Sequence, residues 1–336
     1  MRALGLRRSG SRLVFLAVLL VFPLAPALES QAVTLNAGDL IVTDRGTGGL
    51  VRVDPVTGAQ TTITSGGFLS HPLGVTFDAA GRLIVADFSL GGPGRIVRVD
   101  PTTGGQTLIT SGGFLVEAYG VVVDPSGSII LTDKTAFGGS GGVIRVDPLT
   151  GLQTLITTGG LLSGDPHGLV MDAAGQLVVA ENLSGRLVRV DPLTGSQTLI
   201  SSGGLLNNPN GVALDADGNL IVTTDQGASD QVIRVNPLTG AQTLISSGGL
   251  FVGPRGVGVD AAGNIIVADQ DAFGGSSALF RIDPFTGTQT VISSGGLFVD
   301  PFGVAIAPVP EPGTLLLLGS GLAGLGGVAW RRSRRG

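Results

Sequence analysis

Short apolar runs separated by Gly, Pro, Asp and Asn follow one another from about residue 38 to residue 308. In the stretch 175–217 they are Leu177-Val178-Val179-Ala180, Leu187-Val188-Arg189-Val190, Gln197-Thr198-Leu199-Ile200 and Gly211-Val212-Ala213-Leu214. Runs this short, rich in Val, Ile, Leu and Thr and closed by turn formers, predict strands rather than helices. The four-run unit recurs six times, opening at Gly38, Gly81, Gly127, Gly175, Gly218 and Gly263, with spacings of 43, 46, 48, 43 and 45 residues. Four strands in each of six units predict an all-β domain over 33–308, a six-bladed β-propeller of four-stranded blades. The first unit begins at what should be a second strand, 39–43, and the last is followed by a surplus first strand, Phe302-Gly303-Val304-Ala305-Ile306. The C-terminal strand is therefore expected to close the first blade, which removes two open sheet edges.

Two connections in each unit are nearly constant. One is Asp-x-x-Gly, at 78–81, 124–127, 172–175, 215–218 and 260–263. The other is Asp-Pro-x-Thr-Gly, at 54–58, 100–104, 147–151, 191–195 and 283–287, with Asn236 replacing Asp at 236–240. Asp or Asn first, Pro second and Gly where the backbone needs positive φ is a turn with a mechanism, so these acids are expected to be structural. The loops between second and third strands vary, at 45–49, 88–94, 134–142, 182–185, 225–230 and 270–277. Antiparallel order places them with the blade-to-blade connectors at one end, the constant turns at the other. Function is expected at the variable end.

The two ends of the chain have a different texture. Arg2, Arg7, Arg8 and Arg12 precede an apolar run at 13–22 and small residues around Ala25 and Ala27, which reads as a secretory signal peptide over 1–32. At the other end Val309-Pro310-Glu311-Pro312 precedes eighteen uncharged residues, 313–330, and then Arg331, Arg332, Arg334 and Arg335. Such a run just spans a bilayer as a helix, with Trp330 at the interface and the arginines on the cytoplasmic side. Motif, Gly-rich apolar span and basic tail together over 309–336 resemble the PEP-CTERM sorting signal of Gram-negative bacteria. The resemblance implies transient anchoring in the inner membrane, recognition by an exosortase, cleavage near the motif, and transfer to the cell surface or matrix.

Charge narrows the partners. Residues 33–308 hold 12 of the 20 basic and 23 of the 25 acidic residues, a balance of −11, which argues against nucleic acid. With no cysteine, disulfides, thiol chemistry and Cys-ligated metals are excluded.

Two rings of candidates should face the variable end. The residue before the inner-strand glycine is Leu73, Tyr119, His167, Asn210, Arg255 or Phe302; Tyr119, His167, Asn210 and Arg255 break the repeat and are the candidate ligand-binding residues at the central opening. The residue closing each second strand is Asp44, Asp87, Asp133, Glu181, Thr224 or Asp269. Clustered carboxylates suit a hard cation, making Asp87, Asp133, Glu181 and Asp269 with Asn210 candidate metal ligands. Asx side chains also bond their own loops, and repetition at equivalent positions favours that structural use. The arginines on the third strands, Arg52, Arg98, Arg145, Arg189, Arg234 and Arg281, are expected as surface or inter-blade ion-pair partners. No H-E-x-x-H or P-loop occurs.

Pro-x-Gly-Val-x-x-Asp followed by Gly-x-Leu-Ile-Val-Ala-Asp, as at 72–87 and, with Ile for Leu, at 254–269, resembles NHL-type repeats and the streptogramin lyase-like and gluconolactonase-like propellers. In the gluconolactonase-like group a Pro-Asn-Gly segment supplies an Asn ligand to calcium, and Pro209-Asn210-Gly211 matches it; lyase chemistry in the related group uses histidine, for which His167 is the match. The expectation is a surface or matrix binding module without enzymatic activity or cofactor, partnered by exopolysaccharide or a surface protein and linked to biofilm. A metal-dependent hydrolase or lyase is the alternative.

Overall fold

A computed structural model describes residues 34–308 except 90, 226, 228 and 229. It is a ring of six four-stranded antiparallel sheets, the six-bladed propeller that the repeat requires. Blade one runs from the axis outward as Pro301–Ile306, Leu40–Asp44, Gly49–Val53 and Gln60–Ser65. Closure is the expected one, with Ile306 opposite Leu40 and Val304 opposite Val42. The other inner strands are Pro72–Phe77, Ala118–Val123, Pro166–Met171, Pro209–Leu214 and Pro254–Val259.

Burial explains why the second strands read as continuous apolar runs. Leu40–Asp44, Leu83–Asp87, Ile129–Asp133, Leu177–Glu181, Leu220–Thr224 and Ile265–Asp269 are buried at every residue. Each is covered on both faces by neighbouring blades, so alternation is lost, as in any sheet buried on both sides. Each Leu, Ile or Val so enclosed contributes about 1.5–3 kcal/mol. The outer strands are more exposed and mix polar with apolar residues, as in Gln-Thr-Leu-Ile-Thr-Ser at 106–111.

Glycine is required where blades meet the axis. A Cβ on Gly168 would lie 2.4 Å from the Asn210 carbonyl oxygen, and one on Gly74 2.2 Å from that of Tyr119. Gly120, Gly211, Gly256 and Gly303 meet the next blade's carbonyl at 2.2–2.6 Å in the same way. The rim is fixed by the first residue of each outer strand. Gln106 Nε2 donates to Thr64 Oγ1 (2.9 Å) and Gly66 O (3.0 Å), and its Oε1 accepts from Phe68 N–H (2.8 Å). Gln60, Gln153, Gln197, Gln242 and Gln289 make the same bonds to the preceding blade. The connector between blades, Ser-Gly-Gly in most of them, is thus one half of an inter-blade staple whose other half is the glutamine.

The turn acids are structural, as expected. Asp54 Oδ1 accepts from Val56 N–H (2.9 Å) and Thr57 N–H (2.8 Å), and Asp100, Asp147, Asp191 and Asp283 repeat the geometry. The third-strand arginines reach across blades in a different way from a simple ion pair. Arg98, Arg145, Arg189 and Arg281 donate to the carbonyls of Pro148, Pro192, Pro237 and Pro55 in the next blade's turn. Arg52, Arg98, Arg189 and Arg234 also form ion pairs, with Asp39, Asp78, Asp172 and Asp215 of their own blades.

The variable loops depart from all-strand structure at two places. Ala136–Gly139 (α1) and Ala272–Gly275 (α2) are single helical turns, each with a phenylalanine at positive φ, Phe137 at 57° and Phe273 at 53°. Both loops contain Ala-Phe-Gly-Gly, the shared sequence behind the shared turn. Among the described residues no helix is long and apolar enough to cross a membrane. The signal segment 1–32, the motif 309–312, the span 313–330 and the basic tail lie outside the described residues.

Candidate functional site

The inner-strand ring does converge at the axis. Tyr119, Asn210, Arg255, Phe302 and Leu73 line a central cavity of about 110 Å³, walled below by the inner-strand glycines and by Val75, Val121, Val212, Val257 and Val304. Tyr119 stacks on His167, with ring centroids 4.0 Å apart and planes at 15°, and meets the edge of Phe302 at 5.2 Å. The Arg45 guanidinium stands 5.7 Å over the Phe302 ring, within cation–π range. Burial pushes the Tyr119 phenol well above its ordinary pKa, so its hydroxyl stays neutral.

Blades four and five supply a buried polar chain. His167 Nε2 donates to Asp165 Oδ1 at 2.8 Å, and Nδ1 lies 2.9 Å from the Asn210 side-chain oxygen. Asn182 Nδ2 donates to Pro209 O at 3.2 Å and reaches the Asn210 oxygen at 3.4 Å. Lys134 Nζ approaches Asp165 Oδ1 at 3.3 Å from blade three. Burial pushes the Asp165 carboxyl up, but the hydrogen bond and charge of His167, aided by Lys134, outweigh it and hold the group below the usual range. Asp165, His167 and Asn210 are all at most 5% exposed. Arg255 is fixed on the far side by Asp225 (Nη1 to Oδ2, 2.8 Å) and Gln270 (Nε to Oε1, 2.9 Å).

Two further rings around this mouth escaped the sequence reading. One lies two residues before the first ring: His71, Glu117, Asp165, Asn208, Gly253 and Asp300. The other follows each second strand: Arg45, Phe88, Lys134, Asn182, Asp225 and Gln270. They are paired by the backbone, since each residue of the second ring donates its N–H to the carbonyl of its partner in the first, as Lys134 does to Glu117 (3.0 Å) and Asn182 to Asp165 (2.9 Å). The signal available in the sequence was His71, which stands two positions before Leu73 and opens that column.

The acidic ring is arranged otherwise. Asp133 takes four backbone amides, from Val116 (2.8 Å), Glu117 (3.2 Å), Thr135 (3.2 Å) and Ala136 (2.8 Å). Asp87 accepts from Ser70 and His71, Asp269 from Val252, Gly253 and Asp271, and Glu181 from Asp165 and Ser184. Asp133, Glu181 and Asp269 clamp their own blade's connector to their own loop, while Asp87 holds the connector, and all four are fully buried. Burial pushes Asp87, Asp133 and Asp269 above the usual carboxylate range, against the opposing pull of these amides. Among the described residues no three His, Asp or Glu side chains converge as a metal site would require. The donor set of Asp87, Asp133, Glu181, Asp269 and Asn210 therefore does not fit a shared cation: the acids sit in separate blades and the Asn210 oxygen faces His167.

Comparison with known proteins separates fold from function. Residues 308–335 match the PEP-CTERM protein-sorting motif. No curated protein matches the chain in sequence. Its fold is similar to a chain from the crystal structure of a nidogen/laminin complex, with TM-score 0.65 and 17% identity over 80% of this chain and 98% of that one. It is also similar to TolB from Acinetobacter baumannii, with TM-score 0.61 and 17% identity over 81% and 67% of the two chains. Virginiamycin B lyase from Staphylococcus aureus aligns with TM-score 0.50 and 16% identity over 69% and 73%. These likenesses define a class by fold, the six-bladed propellers. Within that class this chain is a propeller carrying a PEP-CTERM sorting signal, which implies export, recognition by an exosortase and membrane anchoring before processing.

Proposed function

We propose that the protein is a surface or matrix binding module whose ligand, an exopolysaccharide or a surface protein, docks at the mouth around Tyr119, His167, Asn210 and Arg255. The observation that carries this reading is asymmetry: a six-fold repeat breaks its own pattern at one opening, and there it places aromatic faces beside braced polar groups. Tyr119 offers a half-buried aromatic group backed by the buried Phe302, while Arg45, Lys134 and Arg255 stand held in place by Asp300, Asp165 and Asp225. Scaffolds that hold varied side chains on one rigid rim are suited to recognition.

The same geometry favours binding over catalysis. Both nitrogens of His167 are engaged by protein oxygens and the ring is buried, which suits it to bracing the rim. The sorting motif supports delivery to the cell exterior, and with it a role beside exopolysaccharide in a biofilm. The test is a co-sedimentation titration of the purified chain against exopolysaccharide extracted from the producing cells. Saturable binding weakened about tenfold, roughly 1.4 kcal/mol, by Tyr119→Ala is expected. Shortened polysaccharide, or a need for added metal, would replace the binding reading by that of a hydrolase or lyase.

A further inference from the structure

The chain leaves the ring at a defined place. Ile306 is opposite Leu40, Leu40 opposite Val53, and Val53 opposite Gln60. The end of the closing strand and the turn at 54–58 are therefore level, at one end of blade one. Two to three strand spacings separate them, about 10–14 Å. Ala307 N–H donates to Asp39 O (2.8 Å) and Gly38 N–H to Ala307 O (3.0 Å), which ties both termini of the described chain to that end. The mouth around His167 lies at the other end of the same inner strands. Between Pro308 and the apolar run at 313–330 stand only residues 309–312, so the run begins no farther than about 18 Å from the propeller even when extended.

That end carries an apolar feature the turns do not need. Five of the six Asp-Pro-x-Thr-Gly-type turns present a large apolar side chain at x: Val56, Leu149, Leu193, Leu238 and Phe285, all 87–92% exposed. Blade two has Thr102 at the same position with the same Asp100 hydrogen bonds, so a polar residue satisfies the turn equally well. Monomeric proteins rarely repeat near-complete exposure of large apolar groups around one face, and such groups mark interaction surfaces.

We propose that the constant-turn end docks on the lipid bilayer that holds the tail, with these apolar tips entering its interface and the ligand mouth turned outward. The proposal rests on the sorting reading, because the short connection at 309–312 is what brings this end to the membrane. The surface it fits is uncharged or zwitterionic. Each tip adjoins a turn acid or, at Leu238, Asn236, and backbone amides hold Asp54, Asp147, Asp191 and Asp283 below the usual carboxylate range, hence ionised and repelled by anionic lipid.

The chain lacks cysteine, so single labelling sites are clean. Leu193→Cys and Leu238→Cys on two tips, and Leu183→Cys on a variable loop, are each labelled with an environment-sensitive fluorophore in the full chain. The labelled chains are reconstituted in phosphatidylcholine vesicles carrying a spin-labelled lipid, and flotation reports anchoring separately. The expected result is flotation of all three, with quenching at 193 and 238 about threefold greater than at 183. A second full-length variant, Leu193→Cys with Leu149→Ser, Leu238→Ser and Phe285→Ser, should still float and lose most of the extra quenching at 193. Flotation with equal quenching, or stronger quenching at 183, overturns the docking surface and leaves the anchor standing. Failure to float overturns the anchor and the docking surface with it.

Discussion

Replacing Asp133 by Asn separates a structural clamp from a metal ligand. The carboxylate holds four backbone amides, two at 2.8 Å and two at 3.2 Å. An Asn oxygen in the place of Oδ1 keeps an acceptor for Glu117, Thr135 and Ala136 and turns the side-chain N–H₂ toward the Val116 amide. One hydrogen bond to a charged acceptor is lost, at about 1.5–3 kcal/mol, and the three that remain weaken by about 1 kcal/mol each as the acceptor becomes neutral. Burial already penalises the ionised carboxylate, as its raised pKa shows, so relief of that charge offsets part of the loss. The net cost is about 2–4 kcal/mol, which in a domain of this size lowers Tm by roughly 5–15 °C. Calorimetry at pH 7 in calcium and in chelator is the assay. The clamp account requires the same fall in both; a fall seen only with calcium, or one below about 2 °C, refutes it.

Gly168→Ala places a Cβ 2.4 Å from the Asn210 carbonyl oxygen and should cost at least about 2 kcal/mol by overpacking, whereas Val56→Ala on an exposed turn should leave Tm within about 1–2 °C. Gln106→Ala removes three inter-blade hydrogen bonds at the rim and should destabilise by about 1–2 kcal/mol, read by urea unfolding; no change would show that the staple is incidental. Asp87, Asp133 and Asp269 have raised folded pKa values, so their contribution is present in acid and is lost as pH rises from about 4 through those values. Asp165 and the exposed turn acids are lowered, so theirs is lost as pH falls below about 4. Melting scans should show both limbs, with Asp133→Asn flattening the one above pH 4; parallel scans of variant and parent would contradict the assignment. Glu311→Ala with Pro312→Ala should leave the tail uncut in the producing cells, and unchanged processing would refute exosortase recognition.

The architecture was legible because the repeat writes it six times. Turn residues with positive φ, buried second strands and the surplus run at 302–306 each state one part of the ring, and each follows from local backbone or burial requirements. The candidate mouth was legible only in part. Tyr119, His167, Asn210 and Arg255 could be found because each stands just before the recurring inner-strand glycine, which fixes the column, whereas Asp165, Lys134 and Asn182 lie in connectors and loops whose sequence varies. Their role appears only in the fold, where Asn182 meets Pro209, Lys134 meets Asp165, and Asp165 meets His167. The acidic ring posed the opposite difficulty. A column of carboxylates looks like a ligand set until the direction of each side chain is known, and that direction is set by the amides of the incoming connector.

Recognition of a ligand by the unmatched residues at the mouth is the proposal on which the function rests. Its most direct measurement is the affinity of the full chain for exopolysaccharide extracted from the producing cells, compared with Arg255→Ala and with Leu183→Ala on a variable loop outside the mouth. Arg255→Ala is expected to weaken binding about tenfold and Leu183→Ala to leave it unchanged, with polysaccharide length constant throughout. Equal affinity of all three chains, or turnover of the polysaccharide, would contradict the claim.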